Sequence, residues 1–161
     1  CQAKWVLPEV EETVKEDVRI LGNKARIVRY TLVGVASGLL FGIMDALINV
    51  NPIAERLYEF NLPIRRTSVD VIAGVVIDLA YGFILMAAFL VLYRSLPGRV
   101  GLVKGVSFAL LVWFLRVVMS AASQWIMLNM PVTALLYGLL TGLGEMLVLG
   151  ILYGATVRPS T

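Results

Sequence analysis

Four ionisable residues stand apart from the rest of this sequence by where they fall. Asp45, Asp78, Arg116 and Glu145 each sit inside a separate run of apolar residues. A charge at the centre of a bilayer costs about 2.5–3.5 kcal/mol on insertion scales. One such residue in each of four runs is not the pattern of lipid-facing accidents, so the four are expected to face a bundle interior and one another. Three acids and one Arg leave an excess of negative charge. Arg116 is therefore expected to pair with one carboxylate, and at least one other acid to be neutral. Two kinds of chemistry fit. The plainer is a buried ion-pair and hydrogen-bond network that fixes helix register. The other is a proton or cation path, or a polar substrate pocket. Asn49, Tyr81, Ser120, Ser123, Gln124 and Thr141 are polar neighbours that suit either.

The residue types that other chemistries need are missing. The chain has no His, which excludes His-ligated haem, His-based zinc sites and Ser-His-Asp catalysis. Its one cysteine, Cys1, excludes an intrachain disulfide or a Cys cluster. No Gly-rich phosphate loop, metal-ligand spacing or nucleophile elbow is present. No catalytic residue, metal site or cofactor is assigned, and a non-enzymatic protein is expected.

The elements that must position the four residues are membrane spans. Of 161 residues, 59% are hydrophobic before the 14 glycines are counted, and only 16% are charged. Soluble domains carry about 25% charged residues. The apolar runs are Tyr30–Val50, Val71–Tyr93, Gly105–Met127 and Val132–Gly154. Each is long enough to cross a hydrocarbon core of about 30 Å as a helix. The predicted fold is all-α: a four-span transmembrane helical bundle over residues 30–161, preceded by an amphipathic segment over 1–29. Asn51-Pro52, Pro97-Gly98 and Asn129-Met130-Pro131 mark the joints. Helical rise places Asp45 about 7–8 Å deep, Asp78 about 10 Å, Arg116 near the midplane and Glu145 about 20 Å from the same edge. That staircase brings Arg116 within reach of Asp78 or Glu145.

Ten basic residues fall in the N-terminal segment, the second loop and the tail, against Arg56, Arg65 and Arg66 on the opposite side. The positive-inside rule predicts cytoplasmic termini, in a cell membrane that we take to be a bacterial inner membrane. The net charge of +3 follows from this asymmetry, and no nucleic-acid partner is expected. Cys1 at the first position admits lipidation, although the plainer reading is a trimmed chain.

Pro8 to Leu21 reads as an amphipathic helix with an apolar stripe at Val10, Val14, Val18 and Leu21, ended by Gly22-Asn23. Its polar face carries five carboxylates, which suits a protein partner better than anionic lipid. A short helix from Pro52 to about Phe60, stopped before Pro63, is expected to cover the outer mouth of the bundle. Gly34, Gly38 and Gly42 in the first run, and Gly138 and Gly142 in the fourth, recur every four residues and are expected to allow close helix packing. Trp113 and Arg116 lie three apart, where simple packing is the plain expectation and a cation–π contact the alternative.

The function expected first is an accessory or assembly subunit of a larger membrane complex, with the bilayer and other membrane subunits as partners. The alternative is a small proton- or cation-coupled transporter or channel that uses the intramembrane acid/Arg network.

Overall fold

In the computed structural model the described residues are 6–59 and 70–157, with side chains described from residue 24 onward. Cys1, the side chains of the amphipathic stripe, and Phe60 with Pro63 lie outside them. The elements are α1 (Val6–Asn49), α2 (Pro52–Leu57), α3 (Val71–Leu92), α4 (Gly101–Val112), a π-helical turn (Trp113–Val118), α5 (Met119–Met127) and α6 (Val132–Thr156). No strand occurs among the described residues. The chain divides into two units, Cys1–Leu32 and Val33–Thr161. The packing between helices, and the cavity, belong to the second.

Four helical stretches are long and apolar enough to span a membrane: Lys24–Asn49, Val71–Leu92, Gly101–Met127 and Val132–Thr156. Their outward faces explain the composition. Ile72, Val91 and Ile126 are about four-fifths exposed, with relative areas of 79%, 80% and 81%. In water such surfaces would drive aggregation, whereas in lipid they meet a matching solvent. The chain is a multi-pass membrane protein.

Several boundaries differ from expectation. α1 runs through Gly22-Asn23 without a break. A glycine costs a helix about 1 kcal/mol relative to Ala and stops it only when the next turn adopts a left-handed cap. Among the described residues Gly98 alone has positive φ, at 114°, and it lies in the α3–α4 joint. The third span also starts at Gly101, four residues before its apolar run. Lys104 explains how a cation enters that turn: its Nζ donates to the Tyr93 carbonyl at 2.6 Å and lies 4.3 Å from the Tyr93 ring centroid. It thus satisfies an orphan carbonyl at the end of α3.

Capping side chains set the starts of α2 and α3. Asp70 caps α3 by accepting from the Ala73 N–H at 3.0 Å. Asn51 caps α2 by accepting from Ile53 and Ala54, and Pro52 occupies the first helical position. α2 is shorter than expected, ending at Leu57.

Two glycine seams bring helices together. On α1, a Cβ at Gly38 would lie 2.6 Å from Leu79 Cα, and one at Gly34 would lie 2.5 Å from Phe83 Cε1. Gly82 on α3 faces the backbone of Gly38 in return. The second seam joins α4 and α6, where Gly105 and Gly150 each oppose the other's carbonyl oxygen and Gly101 opposes Gly154. Such backbone approach multiplies van der Waals contact, which drives helix association in lipid. Beside the seams lies an aromatic core of Phe89, Phe108 and Tyr153, with centroids 5.3–6.2 Å apart. The buried Tyr153 hydroxyl donates to the Gly82 carbonyl at 3.2 Å. This core fills the half of the bundle remote from α2.

Candidate functional site

The half of the bundle nearer α2 is not filled. It holds a cavity of about 430 Å³ whose lining includes Asp45 from α1, Tyr81 from α3, Arg116 from the π-helical turn, Gln124 from α5, Glu145 from α6, and Tyr58. Gly138 and Gly142 also line it. A Cβ at Gly138 would meet the Tyr58 hydroxyl at 3.5 Å, and one at Gly142 would meet Val117 Cγ1 at 2.9 Å. These two glycines face side chains at the cavity wall, unlike Gly38, Gly82, Gly105 and Gly150, which face backbone.

Glu145 is 6% exposed. Its Oε2 stands 3.7 Å from Arg116 Nη1, a separation that gives attraction without a hydrogen bond. Its Oε1 is buried and has no hydrogen-bond partner. In protein interiors, leaving a buried acceptor unpaired costs about 1–3 kcal/mol, and more for a charged group.

Arg116 is held back from closer pairing by what lies beneath it. Its guanidinium carbon is 4.9 Å from the Phe41 centroid and 4.6 Å from the Tyr81 centroid. The two rings stack on each other 5.4 Å apart at 19°. α1 and α3 thus build an aromatic platform for a cation on the third span. The π-helical winding around Arg116 also alters which side chains share a face. Trp113 does not cover Arg116; its indole N–H donates to the Leu139 carbonyl on α6 at 2.9 Å. Turns of this kind recur at functional sites.

The remaining acids are placed differently. Asp45 lines the cavity from an exposed position and accepts from Asn49 Nδ2 at 3.0 Å. Asp78 is half-buried on α3, and its Oδ2 would lie 2.7 Å from a Cβ at Gly42. Of the two partners in reach of Arg116, Glu145 is the one within ion-pair distance.

The α2 strap is tied by Asn51, which the sequence marks as a joint, and by Tyr137 and Tyr58, which the sequence pattern did not single out. Asn51 Nδ2 lies within hydrogen-bond distance of the Leu47 and Ile48 carbonyls and the Tyr137 hydroxyl, at 3.0, 2.7 and 2.7 Å, and shares its two N–H groups among them. Tyr137 donates on to the Ile48 carbonyl at 2.8 Å. Tyr58 packs edge-on against Tyr137 at 6.2 Å. Burial and the neighbouring Tyr137 raise the Tyr58 phenol above its ordinary value near 10. Phe41 was also missed, although it lies four residues before Asp45 and so shares its helix face. Tyr81, named from the sequence as a polar neighbour, lies three residues after Asp78 and lines the cavity.

Comparison with known protein families, with curated proteins and with solved structures finds no match for this chain.

Proposed function

We propose that this membrane protein is a small proton- or cation-coupled transporter or channel that works through the cavity holding Asp45, Arg116 and Glu145. One observation carries the reading: a buried carboxylate oxygen on Glu145 has no partner beside a polar cavity. A network that served only to lock helix register would gain from satisfying that oxygen. Ionisable groups kept inside a membrane mark ion and substrate pathways by default. The test is flux in proteoliposomes, followed as dissipation of an imposed proton or sodium gradient. Glu145→Gln is expected to abolish the flux and Glu145→Asp to keep part of it. Unaltered flux in Glu145→Gln removes the network as the path.

The subunit reading keeps its support from the carboxylate-rich start of α1, which suits a protein partner. Native-gel size after mild detergent extraction separates the two. A complex much larger than the chain, with no flux, favours the subunit. The proposal takes both termini as cytoplasmic, supported by the distribution of Lys and Arg.

A further inference from the structure

We infer that the ligand of this cavity is a small primary ammonium ion with an apolar body, bound head-first at Glu145. The inference deepens the transport reading and rests on it for the claim that the cavity takes a solute. The head group follows from what Glu145 lacks. Its Oε1 is an acceptor, buried and unpartnered, and needs an N–H or O–H donor. Arg116 does not supply one, because it stands on the Phe41–Tyr81 platform at 3.7 Å from the other carboxylate oxygen.

Charge points the same way. The lining holds two carboxylates, Asp45 and Glu145, against one guanidinium. An acid-rich site in a low-dielectric setting favours a cation over an anion, and a zwitterion would leave the imbalance in place. The cavity is also too large for a bare ion. Ile48, Val117, Ala121 and Leu135 add apolar groups to its polar lining, and its volume of about 430 Å³ lies in the small-molecule range. Among the described residues no group of three or more His, Cys, Asp or Glu could hold a metal ion. Tyr58 adds an aromatic ring to the lining. A quaternary ammonium has no N–H to give Oε1, so the primary ion is the better fit.

The experiment uses four solutes that share a butyl body: butylammonium, butyltrimethylammonium, pentanoate and 2-aminohexanoate. Each is titrated into the full chain in nanodiscs by calorimetry. Butylammonium is expected to bind at least tenfold more tightly than the other three. Glu145→Gln is expected to weaken it at least tenfold, while its unliganded melting temperature shows that the variant is folded. Glu145→Asp, which keeps the charge, is expected to restore part of the affinity. Preference for pentanoate or 2-aminohexanoate, equal binding of the quaternary ion, or no binding of butylammonium overturns the inference. Flux is scored separately: butylammonium binding without flux overturns transport and leaves the ligand class standing, whereas flux without ammonium preference does the reverse.

Discussion

The indole N–H of Trp113 donates to the Leu139 carbonyl across 2.9 Å and so pins the π-helical turn of the third span to the fourth. Arg116 lies within that same turn, and its distance from Glu145 depends on where the turn is held. Trp113→Phe keeps most of the ring volume and removes the donor. A hydrogen bond of this kind contributes about 0.5–1.5 kcal/mol. The variant is therefore expected to lose about 1 kcal/mol of unfolding free energy in mixed micelles. Trp125→Phe, at a ring that is 60% exposed, is expected to lose less. Equal losses at the two positions would show that the pin contributes nothing.

The α4–α6 seam gives a sharper contrast. A methyl group at Gly105 or Gly150 would run into the carbonyl oxygen of the other, and two backbones cannot yield as a flexible side chain can. Gly105→Ala and Gly150→Ala are each expected to destabilise by about 1–3 kcal/mol, as overpacking does. At Gly74 and Gly144 an added methyl group would meet nothing within 4 Å. Alanine there is expected to be neutral, or stabilising by up to about 1 kcal/mol through helix propensity. The comparison is read from unfolding midpoints of the four variants.

Asn51 holds the α2 strap from both sides, capping the short helix and tying it back to α1 and Tyr137. Asn51→Ala removes all of these bonds. Loss of an N-cap alone costs about 0.5–2 kcal/mol. Amides of residues 53–57 are expected to exchange with deuterium roughly tenfold faster in the variant, the change that about 1.4 kcal/mol of local stability gives. Unchanged exchange would place the strap's stability elsewhere.

Tyr58 sets the pH limit of that strap. Its phenol is raised in the folded protein by burial and by Tyr137. A raised acid contributes stability that is present in full below its unfolded value and is lost as pH rises through the folded one. No change in α2 exchange protection is expected between about pH 6 and 9 once intrinsic rates are removed, a window below the ordinary tyrosine value. Loosening is expected only above the ordinary tyrosine range, and Tyr58→Phe should abolish that high-pH step.

Much of this was legible because the bilayer imposes it. Four apolar runs of adequate length leave only helices that satisfy their own backbone. The positions of Asp45, Asp78, Arg116 and Glu145 within those runs are likewise read directly from the chain. What was not legible depends on geometry between helices. The seam at Gly105 and Gly150 needs the rotation of α4 against α6, which spacing on one helix does not define. The π-helical turn has no sequence marker in Trp-Phe-Leu-Arg-Val-Val, and it moved Trp113 off the face of Arg116 that an ordinary helix would have given. Gly22-Asn23 failed as a stop because a glycine permits a helix end without requiring one.

Orientation is the last expectation open to a direct test. The α3–α4 joint carries Arg94 and Arg99, with Lys104 just beyond it, while α2 carries Arg56 with Glu55 beside it. Lys104 is also bound to the Tyr93 carbonyl, so its charge is fixed at this end of the bundle. Single cysteines at two exposed positions, Glu55→Cys and Ser95→Cys, report the two ends on a Cys1→Ser background. In sealed, right-side-out cells a membrane-impermeant maleimide is expected to label position 55. Position 95 is expected to react only after permeabilisation. The reverse pattern would overturn the expected orientation, and would mean that the distribution of Lys and Arg does not set topology in this protein.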